Sequence, residues 1–209
     1  MKKVIFLNAG HSEMDPGAKA PKSRFEHESQ INMAIRDFVV PELKEQGFDV
    51  IVISDDKNLT QSYLSVNQAT SNIDDGLALD IHCNCCGAEG AEVYYYDGYD
   101  SSKKIAEKLL TAYCKETGIK NNKVRSDTLS QWGGLGWIRN TNIWALLIEC
   151  GYLDNTNDMD FILNNMARVA KGIAKGICSI YGVEYKEKEK EVFDKEEFKR
   201  KIINFIKSS

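Results

Sequence analysis

Long apolar runs are missing from this chain of 209 residues: no stretch approaches the ~18 consecutive apolar residues of a bilayer-spanning helix. An excess of basic charge is missing too. Lys and Arg number 27 against 31 Asp and Glu, a formal charge of −4, so no general attraction to nucleic acid or to an acidic membrane is expected, and the missing apolar runs predict no membrane insertion. An export signal is the third absence. In "MKKVIFLNAGHSE" two lysines precede an apolar run, but the run is only five residues long and polar residues follow at once, which reads better as a buried first strand. Six cysteines without such a signal predict synthesis in a reducing cytosol with the thiols free. Cys114, Cys150 and Cys178 lie within apolar patterns and read as small core residues.

What remains is an ordinary globular composition, 43% hydrophobic and 28% charged, at a length suited to one compact domain and a short appendage. Strand and helix signals alternate along it. "KVIFLNAG" is a β-rich run closed by glycine, followed by a polar loop with Asp15-Pro16-Gly17 as its turn signal. From about residue 28, Ile31, Ala34, Ile35, Phe38 and Val39 recur at the spacing of one helical face. Pro41 is placed to kink or restart that helix, and Gly47 to stop it. "FDVIVIS" predicts a second strand buried on both faces, and Tyr63, Val66, Thr70 and Ile73 mark a second helix.

"LALDIH" and "AEVYYYD" predict two further strands. Ser101 or Ser102 can cap a helix with Ile105, Ala106, Leu109, Ala112 and Tyr113 facing inward and Gly118 at its end. "LGWIR" and "WALLIECG" then read as strands, and residues 158–181 as one long helix ending at Gly182. Such alternation predicts an α/β fold: a single three-layer domain whose mainly parallel or mixed sheet of about six strands carries helices on both faces. The domain is expected over residues 1–182, a charged linker over 183–193, and a short C-terminal helix over 194–209.

The stretch "IHCNCC" at residues 81–86 invites a thiolate metal site, yet histidine placement is the stronger signal. His11 follows a strand and a glycine, and His82 ends the "LALDIH" strand; in parallel sheets, sites gather at strand carboxyl ends. Two histidines so placed favour a metal, with Glu26, His27 and Glu28 as candidates for a third ligand. Glu149 ends the apolar "WALLIE" run. Burial there raises a carboxyl pKa toward the range of a general base, although a capping or salt-bridged glutamate is the plainer alternative. Tyr94, Tyr95 and Tyr96 alternate across a strand and read as packing for two and partial exposure for one. Arg139 reads as a surface arginine, with a peptide carboxylate as its alternative partner.

Four blocks in chain order carry a resemblance: "LNAGHSEMDPGA", "ESQINMAI", "NQATSNIDDGLALDIHCNCCGAEGAEVYYY" and "IWALLIECGYLDNTND". Together they resemble the zinc-dependent N-acetylmuramoyl-L-alanine amidases, a family of bacterial autolysins and phage endolysins. The resemblance implies Zn2+ held by His11, Glu28 and His82, with Glu149 catalytic and Asn84 a candidate substrate contact. Glu28 is preferred to Glu26 because Asn32 and Ala34 follow it at the family's spacing. Glu26-His27 stands where the family has Gly-Leu, which keeps His27 as an alternative ligand. The implied substrate is peptidoglycan, cut between N-acetylmuramic acid and L-alanine.

A chain made in the bacterial cytoplasm without a signal peptide, and acting on the wall after release, is most like a phage or prophage endolysin. The alternatives are a non-catalytic zinc-binding wall-recognition or regulatory protein and a zinc peptidase of the same fold. In either case Cys83 should face away from His82, leaving Cys85 and Cys86 as thiols without an assigned role.

Overall fold

The computed structural model describes residues 3–187, apart from residues 13, 71, 72, 74, 131 and 132. Six strands form one mixed sheet: β1 (Val4–Ala9), β2 (Asp49–Val52), β3 (Gly76–Asn84), β4 (Ala91–Tyr95), β5 (Asn121–Ser126) and β6 (Trp144–Tyr152). Their spatial order is β2-β1-β3-β6-β4-β5. β1 pairs in parallel with β2 and β3, β3 with β6, and β4 with β5, while β4 runs antiparallel to β6. One face packs against α1 (Glu28–Glu45), α3 (Asp100–Thr117), α5 (Thr156–Asn164) and α6 (Met166–Tyr181). The other face meets α2 (Leu59–Ala69) and α4 (Gly136–Asn140), giving three layers. Among the described residues, no helix is long and apolar enough to cross a membrane.

Several local expectations are corrected. "LGWIR" is not a strand: Gly136–Asn140 form α4, with neighbouring Trp137 and Ile138 both buried against the smaller apolar cluster. A short apolar run does not separate strand from helix, and two adjacent buried side chains suit a helix corner. The sixth strand is instead β5, "NNKVRS", a polar edge strand whose alternation buries little. β2 is the opposite edge, so Ile51 and Val52 are 39% and 43% exposed rather than buried on both faces.

Helix boundaries shift as well. The helix expected over 158–181 breaks at Asn165, whose φ and ψ are −136° and 36° and whose side-chain amide donates to the Phe161 carbonyl at 2.9 Å. Pro41 sits inside α1 without ending it, and Phe38 faces solvent. α3 begins at Asp100 after Tyr99; Ser102 does not cap it, and its hydroxyl accepts from the Tyr96 amide at 3.1 Å. Tyr95 packs on the larger cluster and Tyr94 and Tyr96 on the smaller, and all three are half-buried. Residues 183–187 run beside α1 and α6, with Tyr185 bonded to Glu42 and Glu187 paired with Lys171 and Lys175. The remainder of the expected linker and the C-terminal helix lie outside the described residues.

α3 and α6 approach closely through Gly172 and Gly176. A Cβ on Gly176 would lie 2.5 Å from Leu109 Cδ1 and 2.9 Å from Leu109 Cα. Alanine gains about 1 kcal/mol of helix propensity over glycine, whereas forcing packed backbones apart costs about 1–3 kcal/mol. Gly176→Ala is therefore expected to lower the melting temperature. An unchanged or higher value would show that the two helices are free to separate.

Candidate metal centre

Side-chain parity on the parallel strands builds the site. Leu77, Leu79, Ile81 and Cys83 of β3 join the larger cluster, so Ala78, Asp80 and His82 share the other face. His82 stands opposite Glu149 on β6, and Glu149 opposite Glu92 on β4. This face is apolar where α2 and α4 cover it, at Phe6, Ala78, Ala145 and Leu147. Toward the carboxyl ends of β1, β3 and β6 it turns polar, with Asn8, Asp80, His82 and Glu149.

One group of metal-ligating side chains converges among the described residues. Donor atoms of His11, Glu28 and His82 lie within 4.8 Å of one another. His11 Nε2 is 3.1 Å from Glu28 Oε2, and His82 Nδ1 is 2.9 Å from Glu28 Oε1. The other ring nitrogens face carboxylates: His11 Nδ1 lies 3.1 Å from Asp15, and His82 Nε2 lies 3.2 Å from Asp80. Asp80 is itself held by the Asn8 amide at 2.7 Å. Imidazoles backed by carboxylates in this way have their ring orientation and ligating nitrogen fixed. Glu28 Oε2 also accepts from the Ala18 amide at 3.2 Å, while Oε1 accepts from Asn32 and the Cys83 amide, each at 3.3 Å.

The backbone makes room for this group. A Cβ on Gly10 would fall 2.0 Å from His82 Nε2, and one on Gly17 2.6 Å from His11 Cδ2. Gly17 has φ of 73°, and His11 itself takes the left-handed region at φ 69°, where a non-glycine side chain carries strain. Two imidazoles and one carboxylate in such a cradle fit a borderline-soft divalent ion and leave a further coordination position free.

Electrostatics follows from burial and neighbours. Burial alone would raise the Glu28 carboxyl, but hydrogen bonds from His11 and His82 outweigh it and hold the group well below the usual carboxylate range. Burial pulls His82 down, yet Asp80 and Glu28 more than compensate and favour its protonated form. His11 is raised for the same reason, chiefly by Glu28. Burial pushes Glu149 up to about 7; His82 opposes the shift, while Glu28, Glu92 and Asp80 add to it. Glu149 Oε2 is buried with no hydrogen-bond partner among the described residues.

The other residues singled out in the sequence fall around this centre. Glu26 is exposed, and His27 precedes α1 outside the converging group. Asn84 Nδ2 donates to Tyr152 Oη at 3.3 Å, and its Oδ1 accepts from the Cys85 amide at 2.8 Å. Cys83 is buried on the far face, and all six cysteines are free. Cys85 and Cys86 lie on the loop after β3, outside the converging donors. Arg139 is committed to buried Asp127 at 2.6 Å.

Sequence reasoning missed Asp15, Asp80, Glu92 and Tyr152. For Asp80 and Glu92 the available signal was an acid inside an otherwise apolar strand. A cleft of about 430 Å3 opens beside the centre, lined by His11, His82, Asp80, Lys57, Leu59 and Trp137, a size that suits a small ligand. A larger hollow of about 560 Å3 lies at the opposite strand ends, by Gly76 and Trp144, and contains none of the converging donors.

Residues 5–179 match a family model described as N-acetylmuramoyl-L-alanine amidase. The probable cell wall amidase LytH of Staphylococcus saprophyticus is 26% identical over 190 residues, covering 86% of this chain and 58% of LytH. The chain thus spans little more than half the length of that relative. The endolysin of Bacillus phage SPP1 is 26% identical over 198 residues, covering 89% of this chain and 69% of the phage protein. The catalytic domain of CwlV, an N-acetylmuramoyl-L-alanine amidase from Bacillus (Paenibacillus) polymyxa, is similar in structure, with a TM-score of 0.70 and 30% identity. That likeness covers 88% of this chain and 100% of the CwlV domain.

The cradle makes a direct prediction. Gly10→Ala should displace the His82 ring and weaken divalent-metal affinity by about 10–100-fold, the scale seen when the supports of metal ligands are removed. Isothermal titration with metal, beside a circular-dichroism spectrum to confirm folding, measures it. Unchanged affinity in the folded variant would show that the His82 ring position is not what binds metal.

Proposed function

This chain belongs to the N-acetylmuramoyl-L-alanine amidase family, and on that premise we propose that it hydrolyses the amide joining N-acetylmuramic acid to L-alanine in peptidoglycan. The observation that carries the reading is Glu149. Its unpartnered, buried oxygen stands across the β3–β6 ladder from His82, beside the converging His11, Glu28 and His82. A carboxyl held near pH 7 in that position is matched to moving protons at neutral pH.

His11, Glu28 and His82 would hold zinc, which supplies Lewis acidity toward a water and toward the scissile carbonyl. Asp15 and Asp80 orient the two imidazoles, and Asn32 and the Ala18 and Cys83 amides fix the Glu28 carboxylate. Glu149 takes a proton from the attacking water and returns it to the departing amine of L-alanine. Asn84 holds the Tyr152 hydroxyl, which donates to Glu92 opposite Glu149, and would border the substrate. The likeness to a phage endolysin supports a lytic setting, in which the protein acts on the wall of the host once released. A recognition protein without turnover has no use for an unpaired buried carboxyl, which favours the hydrolase over that rival.

Three outcomes are expected. Purified sacculi digested with the protein should yield free L-alanine amines and no new reducing sugar ends; reducing ends or internal peptide cuts would contradict the assignment. Glu149→Gln should lower turnover about 10²–10⁴-fold while zinc content stays at the wild-type level. Surviving activity would move the base elsewhere.

The third outcome is proton linkage. Because His11 and His82 have raised pKa values in the metal-free chain, ligation must displace their protons. Zinc affinity should therefore fall as pH is lowered through neutrality. The calorimetric heat of zinc binding should also vary with buffer ionisation enthalpy; a buffer-independent heat would place zinc on ligands already deprotonated.

A further inference from the structure

The polar row that begins at His82 continues past Glu149. Glu92 lies directly opposite Glu149 and is 1% exposed. Its carboxylate is held by Arg125 Nε at 2.8 Å, by the Tyr152 hydroxyl at 3.3 Å and by the Tyr94 hydroxyl at 3.4 Å. Val124 packs on the larger cluster, so Arg125, the next residue on β5, projects on the same sheet face as Glu92 and Glu149. The Arg125 side chain is 44% exposed, and it meets Glu92 through Nε. One edge of the guanidinium is thus anchored to a buried carboxylate, while the exposed part of the side chain is open to a ligand.

Charge and distance identify that ligand. Asp80, Glu28, Glu149 and Glu92 make the row acidic, and Arg125 is the cation that borders it at the β5 end. The Arg125 guanidinium meets Glu92 on β4, the strand next to β6 and one spacing of about 4.8 Å from it, and an extended peptide advances about 3.3 Å per residue. A carboxylate about two residue lengths beyond the scissile amide is therefore within reach of the guanidinium. Where the second residue of a peptidoglycan stem is joined through its side-chain carboxyl, its α-carboxylate stays free on that residue's own Cα, about two residue lengths from the scissile amide.

We propose that Arg125, braced by Glu92, binds the free α-carboxylate of the second stem-peptide residue and so selects stems that carry this charge over stems amidated there. The assignment rests on the amidase reading. Planar, paired N–H groups of arginine match a carboxylate in a way that a carboxamide, itself half donor, does not.

The experiment compares two synthetic stem peptides that differ only in carboxylate or carboxamide at that position, titrated into the zinc-loaded protein. Wild type should bind the carboxylate form about tenfold more tightly. In Arg125→Gln the ratio should fall to about one, through loss on the carboxylate form alone. Arg125→Lys keeps a cation beside Glu92 but lacks the planar fork, so it should retain only part of the preference, and it serves if the glutamine variant fails to fold.

No wild-type preference, or a preference that persists in both variants, would overturn the proposal; so would loss of the preference in Lys57→Ala but not in the Arg125 variants. Because binding is read without turnover, a failure here stands apart from a failure of the amidase reading, which sacculus digestion reports.

Discussion

Glu28 is a nearly buried carboxylate shared by two imidazoles, two backbone amides and one side-chain amide. An ionised carboxyl in that position is tolerable only because each oxygen meets donors with good geometry; the attraction of the histidines outweighs the cost of burial. Its partners come from the loop between β1 and α1, from α1 itself and from the end of β3, so this one group ties together segments distant in the chain. A divalent ion in the same cradle would take over the role that protonated histidine plays toward Glu28 in the metal-free chain. Folding, protonation and metal binding are thereby linked through a single carboxylate.

The rest of the chemistry depends on strand parity. The sheet face under α2 and α4 is apolar for the first part of β1, β3 and β6 and polar for the last, with no change of period. Apolar residues anchor the strands beneath the two helices, and the same faces then present Asn8, Asp80, His82 and Glu149 where cover ends. Desolvation of Glu149 is thus a consequence of its strand being central, between β3 and β4, and not of a separate pocket. The row Glu149, Glu92, Arg125 extends the same logic to the β5 edge, where exposure rises from the buried Glu92 to the half-exposed Arg125.

Much of this was legible in the residues. Alternation of apolar strands with periodic helices announced the layers, and histidines at two strand ends pointed to a metal; the third ligand stayed open among Glu26, His27 and Glu28 until the family resemblance favoured Glu28. What escaped was decided by context. β5 is polar because an edge strand buries little, and "LGWIR" is apolar because two helical neighbours both face the smaller cluster. The interruption at Asn165 depends on a local side-chain bond that periodicity does not register. Asp80, Glu92 and Tyr152 were passed over because their importance lies in cross-strand pairing, which linear spacing leaves undefined until register is known. The cysteine-rich stretch drew notice in the opposite direction: Cys83 is core, and Cys85 and Cys86 stand outside the converging donors.

The proposed zinc site is the histidine–glutamate–histidine cradle, not the neighbouring thiols. Anomalous diffraction from zinc-loaded crystals, recorded on both sides of the zinc edge, tests it most directly. One dominant peak bounded by His11, Glu28 and His82 is expected. A dominant peak at Cys85 and Cys86, or none at the cradle in fully loaded protein, would contradict it.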